Sequence, residues 1–540
     1  MGRRSSRVAM TTALVVVAGV LAVLGSQQAS DAAVRQRAAL SALAAVRVQT
    51  ALTARAAFAP ARPGRRALLQ RRVGSRWVKV AAGRESAAGR VAFRIRFARP
   101  GTVRLRAVAV AVKGLSQVAS PVRTVLVKRP LLERVSTSSS GGQADGASAP
   151  TFYRPSISAN GRYVAFTSEA TNLVPGDTNG VADVFVKDTW THHVERVSVA
   201  TDGTQGSEES VAPAISADGR FVVFSSSAAQ FGDQDPSNTV LDVFRHDRTT
   251  GATVLVSSPP SGVANAQSDQ PSVSGDGNLV AFTSAANNLV AGDTNSKFDV
   301  FLRNMTSGAV IRVSVSSAGA QGDKSSSRPS ISANGSYVAF QSDATTLVSG
   351  DTNNQADVFL RDLTAQTTER VSQVRGTATQ GNSGAYDASI SATGRYVAFT
   401  TDASNLTPDD PDGWWDVLVW DRSDGSYRLA SHSTAANFSQ QGEVSFPSIS
   451  ADGSTVAFRS SEAVLAPGDT NGFLDIYVSD LDAGTIKRVS DRPGGVNGNA
   501  DSTFPALAGN GLAIAFASDA TNLIAGDTNG VRDVFLRRLD

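Results

Sequence analysis

The chain has 540 residues, no cysteine, four histidines and a nominal charge of +3. The lack of cysteine excludes disulfides, thiol nucleophiles and thiolate metal sites. The small net charge conceals a split: residues 1–130 hold 25 Lys and Arg against 2 Asp and Glu, and residues 131–540 hold 26 against 46. A basic leading part thus precedes an acidic body, with local fields of opposite sign.

Residues 1–33 read as an export signal. Arg3, Arg4 and Arg7 precede the apolar run 8–25, and small residues follow at 29–33. The run approaches membrane-spanning length, so an uncleaved anchor is the alternative, and only then is a membrane a partner. Either way the chain leaves the cytoplasm for the cell envelope or the extracellular space. Residues 34–43, rich in Ala and Arg, read as a linker.

Over 44–128 the pattern becomes short alternating strands, at 67–73, 76–80, 90–97, 102–110 and 120–127. Gly64, Gly74, Gly89 and Pro100-Gly101 supply the turns. This predicts a small β-sandwich. The stretch RPGRRALLQRRVGSRWVKV…GRVAFRIRFARPGTVRLRAVA resembles the immunoglobulin-like accessory modules of secreted bacterial proteins. Its basic residues alternate with apolar ones (Arg94, Arg96, Arg104, Arg106), as on a solvated strand face. The two other readings are an anionic cell-wall polymer as partner and docking onto the acidic body. Nucleic acid is not expected, because interleaved exposed aromatics are missing.

From residue 131 a single unit dominates. PSISANGRYVAFTSEATNLVPGDTNGVADVFVKD recurs seven times, opening at Pro155, Pro213, Pro271, Pro329, Ala388, Pro447 and Pro505, a step of 58 or 59 residues. Each copy predicts four short strands, in the first at 155–158, 162–168, 183–188 and 193–198. Asn160-Gly161 makes the first hairpin, and no helical period separates the strands. Four antiparallel strands per repeat, with apolar side chains on both faces, predict an all-β, seven-bladed β-propeller. The seventh copy lacks a fourth strand, and LLERVS at 131–136 matches KRVS at 487–490. This N-terminal strand is expected to close the last blade and remove a free sheet edge.

The recurring S-x-D/N-G-R-Y-V-A-F-x-S…D-V-F-V-x-D, seen again at 216–224 with 242–247 and at 450–458 with 475–480, resembles the WD40-like, TolB-type (PD40) repeat of bacterial proteins. That resemblance implies a propeller in the envelope or outside the cell that binds proteins or other ligands. TolB itself has six blades and a different N-terminal domain, so no role in the Tol–Pal system is implied.

Two loop features could carry chemistry. Five copies contain GDTN-x-x-x-D: Asp177, Asn179, Asp183; Asp293, Asn295, Asp299; Asp351, Asn353, Asp357; Asp469, Asn471, Asp475; Asp527, Asn529, Asp533. Oxygen ligands at alternate positions suit calcium, the one cofactor the sequence suggests. The competing reading is a turn capped by its own Asx side chains. It is favoured because the last Asp persists as Asp242 and Asp416 in the two copies without GDTN. Copy five instead carries Asp409, Asp410, Asp412, Trp414 and Trp415, where two aromatics among carboxylates offer a stacking platform for a sugar ring. Packing of Trp415 between blades is the alternative. The histidines (His192, His193, His246, His432) are scattered and no Ser-His-Asp spacing emerges. The expected function is therefore an exported, non-catalytic scaffold whose long-loop rim recognises an envelope or extracellular protein or glycan. The alternatives are a polysaccharide hydrolase or lyase using rim carboxylates, and a structural surface module.

Overall fold

The computed structural model describes residues 36–48, 50–150, 153–232, 240–432 and 442–539, so the expected export signal at 1–33 lies outside it. Apart from one short 3-10 turn, the described elements are all β. The chain divides into two compact units, Met1–Arg129 and Pro130–Asp540.

In the first unit a three-stranded sheet (Arg37–Ser41, Leu52–Ala59, Arg90–Ile95) shares one apolar core with a larger sheet. The larger sheet orders Ala45–Arg47, Arg123–Lys128, Gly101–Ala109, Arg66–Val73 and Arg76–Arg84, with Val118–Ala119 added to Gly101–Ala109. Strict alternation drives this packing: Leu52–Ala59 and Arg90–Ile95 bury every second residue, sending Arg94 to solvent while Phe93 is buried. The expected linker at 34–43 needs correction, because Arg37–Ser41 pairs antiparallel with Leu52–Ala59. Its alternation is hidden in the sequence, because small alanines leave only Leu40 as a large apolar side chain to pack on the core.

In the second unit each repeat forms its own four-stranded antiparallel sheet, an arrangement consistent with a propeller. Sheet one contains Ser156–Ile157, Tyr163–Ser168, Asp183–Asp188 and Val194–Arg196. The sheets are numbered here in the order of their first strands, so that sheet five begins with Ala385–Ile390 and sheet seven with Ser502–Leu507. Sheet seven takes its fourth strand from the other end of the unit: Leu132–Arg134 pairs with Asp533–Arg538, in register Leu132↔Arg537. Backbone hydrogen bonds from Val135 N to Val534 O (2.7 Å) and from Arg538 N to Leu131 O (2.7 Å) extend that pairing.

The second and third strands are apolar on both faces because each core lies between consecutive sheets. Val184 and Val186 of sheet one pack with Val222 and Phe224 of sheet two. Val164 and Phe166 of sheet one pack with Ala515 and Leu536 of sheet seven. The first hairpins are also linked sheet to sheet. Backbone bonds run from Ala159 to Ala217, Ala217 to Gly275 and Gly275 to Ala333, then Asn334 to Ala392, Ala392 to Ala451 and Ala451 to Gly509. The series returns to its start through Asn510 N and Ala159 O at 2.9 Å. Serine hydroxyls on the first strands reinforce it, as Ser272 Oγ accepts from Ile331 N (3.1 Å) and Ser448 Oγ from Leu507 N (2.9 Å).

A candidate ligand-binding site

The first strands carry a shared irregularity. In sheets two to seven the register with the second strand shifts across the residue before the repeat's opening position, as between Val211 and Ala214 or Tyr386 and Ser389. At each shift a non-glycine residue takes positive φ: Ala212 (53°), Gln270 (56°), Arg328 (52°), Asp387 (56°), Phe446 (56°) and Phe504 (56°). A bulge with a left-handed residue costs on the order of 1 kcal/mol and re-aims a side chain. The following residue is proline in five of these six, which is tolerated in a sheet at a bulge.

All of these positions but Phe504 line a cavity of about 490 Å³ to which first-strand residues of all seven sheets contribute. Three of its lining charges meet in one cluster. The Asp387 carboxylate, nearly buried, receives Arg154 at 3.2 Å and Arg328 at closer range. Two guanidinium groups thus share one carboxylate, leaving an excess positive charge there. Arg154 also lies 4.5 Å over the ring of Phe446, which Arg459 covers at the same distance, and Phe446 meets Phe504 edge to face at 5.2 Å. Elsewhere on the wall burial raises the Asp269 carboxyl, and burial together with Asp269 raises the Tyr153 phenol.

A second cavity of about 390 Å³ shares Arg328, Asp387 and Phe446 with the first and adds Tyr386 and Trp415. Trp415 stands immediately before the third strand of sheet five, Asp416–Asp421, and its ring lies 5.6 Å from Tyr386. Trp415 therefore both packs and lines a cavity. Trp414, by contrast, is exposed, with Asp409 and Asp412, while Asp410 is buried. Of the five loop residues named from the sequence, Asp410 is thus the one withdrawn from the surface.

The GDTN loops have a different logic. The last Asp opens the third strand and accepts the hydroxyl of a serine two residues beyond the fourth strand in every sheet: Ser198 to Asp183 at 2.5 Å, Ser257 to Asp242 at 2.6 Å, Ser136 to Asp533 at 2.5 Å, and Ser431 to Asp416 in sheet five. The Asn ties the loop down, as Asn179 Nδ2 donates to Asp183 (3.1 Å) and to Gly206 O (3.0 Å). Asn295, Asn353, Asn471 and Asn529 make the matching bond across their own loops.

Between the two carboxylates sits an arginine from the fourth strand. Arg196 lies 3.1 Å from Asp177 and 3.3 Å from Asp183; Arg312 bridges Asp293 and Asp299 at 3.1 and 3.3 Å. Arg488 bridges Asp469 and Asp475, Arg134 bridges Asp527 and Asp533, and Arg370 lies 3.7 and 3.5 Å from Asp351 and Asp357. In these five loops a guanidinium stands where the sequence suggested calcium. Burial raises the Asp357 and Asp475 carboxyls to about 6, offset in part by serine and arginine.

Sequence reasoning missed the bulge residues and the bridging arginines. Both had a signal. The residue before each opening varies between copies (Arg154, Ala212, Gln270, Arg328, Asp387, Phe446, Phe504), and R-V-S accompanies GDTN in five copies. No protein-family model and no curated protein sequence matches this chain.

Proposed function

We propose that the chain is an exported, non-catalytic binding protein of the TolB-like type. Its second unit closes into a seven-bladed β-propeller, and its ligand, an envelope or extracellular protein or glycan, enters the cavity at the centre of the ring. The ring reading is supported by the hairpin hydrogen bonds that return from Asn510 to Ala159 and by the pairing of Leu132–Arg134 with sheet seven. The observation that carries the binding reading is the bulge series. Five of the six strained left-handed residues, Ala212, Gln270, Arg328, Asp387 and Phe446, bring chemically different side chains to one cavity, whereas the residues that build the sheets repeat almost unchanged. The excess positive charge at Arg154 and Arg328 suits a carboxylate of the ligand, which would compete with Asp387 for the two forks. Phe446, Tyr386 and Trp415 supply apolar faces beside it. The basic first unit, with Arg94 and Arg104 exposed, fits an anionic cell-wall polymer as a separate partner.

The test is retention of purified envelope glycans and peptides by the full chain, with product analysis of the same mixtures. Retention without product, weakened at least tenfold in Arg328→Ala with an unchanged melt, is the expected result. Product formation, or wild-type retention by Arg328→Ala, would overturn it.

A further inference from the structure

We propose that sheet five carries a site for one hard divalent cation, held by Asp410, Asp412 and Asp416. Asp410 and Asp416 are the counterparts of Asp177 and Asp183, six residues apart in both sheets, and Asp412 replaces Asn179. Each of the three offers an oxygen within 4.8 Å of the others. Two metal–oxygen bonds of the calcium type span about 5 Å end to end, so one ion can reach all three.

The reason this loop needs a cation lies on the neighbouring strand. In the five GDTN sheets the bridging arginine pairs across from the third strand, as Arg196 does from Phe185 and Arg370 from Phe359. Sheet five has Leu429 in that register, opposite Leu418. Sheet two also has a leucine there, Leu255 opposite Phe244, but its connection, which carries Asp233 and Asp235, lies outside the described residues. Among the described connections, that of sheet five lacks the internal cation, keeps the acid and adds a third one.

An independent observation points the same way. Asp410 is 2 % exposed, and neither of its carboxylate oxygens meets a hydrogen-bond partner of proper geometry. Burial without a partner is unfavourable for a carboxylate, and a bound cation would relieve it. Its counterparts Asp177 and Asp469 face a guanidinium at 3.1 and 3.0 Å. Asp412 is exposed, which gives an ion a path in from solvent. The all-oxygen donor set selects calcium, magnesium or manganese over softer metals.

The experiment uses the full chain after chelation, with Tb³⁺ as probe and excitation of tryptophan, since Trp414 and Trp415 adjoin the loop. Saturable Tb³⁺ emission at one ion per chain, displaced by millimolar Ca²⁺, Mg²⁺ or Mn²⁺, is expected. Asp412→Asn restores the residue of the other loops and should weaken binding at least tenfold. Leu429→Arg restores the internal guanidinium and should abolish the signal while the metal-free melt stays level or rises. The proposal is overturned by emission that does not saturate, by failure of all three ions to displace the probe, or by Leu429→Arg binding like the wild type.

Discussion

Replacing Arg370 by leucine tests whether the bridging arginines hold the loops or merely decorate them. The Arg370 side chain is 2 % exposed, and its partners Asp351 and Asp357 are 2 % and 0 % exposed. It also donates to Gln380 Oε1 at 3.0 Å and to Ala378 O at 3.3 Å. Removing one member of such a buried group leaves uncompensated charge and costs about 3–5 kcal/mol. The loss should appear as a lower denaturation midpoint at pH 8. Adding Asp351→Asn to Arg370→Leu should recover about 2 kcal/mol by removing one stranded charge. The pH dependence follows from the raised carboxyls. Burial holds Asp357 up at about 6 against 3.8 unfolded, so the folded state binds the extra proton in that window, and acidification through it favours folding. Without Arg370 the carboxyls rise further, and the penalty of the variant should shrink between pH 8 and pH 5. A cost below about 1 kcal/mol at pH 8, a double variant no better than the single, or a penalty that grows on acidification would refute the reasoning.

Beginning the chain at residue 137 instead of 130 removes the strand Leu132–Arg134 and uncovers the edge of Asp533–Arg538. Amide exchange of Val534 and Leu536 should accelerate and the melt should lose cooperativity; an unchanged exchange pattern would contradict the closure. Gly394 sits at φ +75° with its missing Cβ directed into the ring of Tyr337 of the preceding sheet, whereas Gly376 at φ +70° faces open space. Alanine at 376 should cost about 1–2 kcal/mol from backbone strain alone, and alanine at 394 about 2–5 kcal/mol once overpacking is added, read from paired denaturation curves. Lys187 donates to Thr137 O and Ser138 O at 2.8 and 3.1 Å, and burial lowers it to about 8 although Glu133 pulls it up. The unfolded state then binds more protons between pH 8 and 10.5, so this lysine's contribution to stability should rise with pH across that window. Lys187→Met should flatten the rise in a pH series of melts.

The repeat made most of the second unit legible, because strand alternation, the Asn-Gly or Asp-Gly hairpin and the third-strand Asp each recur at fixed spacing. The closing strand was legible for the same reason: LLERVS copies a fourth strand that sheet seven lacks. What escaped was whatever the copies do not share. Arg328, Asp387 and Phe446 occupy one position with three chemistries, so a reading for common motifs passes over them, although variation within a constant frame is how a scaffold presents a binding surface. The bridging arginines escaped for a geometric reason. Asp177 and Arg196 are 19 residues apart and belong to different elements, a loop and a strand, so no local pattern joins them. Their co-occurrence across copies carries the information instead.

Sheet five departs from both rules. It has Leu429 in place of the internal cation and a third carboxylate at Asp412, and it places Trp415 in the second cavity, directly before Asp416 of the acidic cluster. A cation gripping Asp410, Asp412 and Asp416 would fix the backbone on both sides of Trp415 and so lower the ordering cost of any ligand stacked on that ring. The coupling must be reciprocal: if calcium tightens the ligand by some factor, the ligand tightens calcium by the same factor. Calcium titrations with and without a retained glycan or peptide should therefore show matching shifts, which vanish in Leu429→Arg while its ligand affinity stays at the value of the metal-free wild type. Equal ligand affinity of the wild type at zero and saturating calcium would separate the two sites.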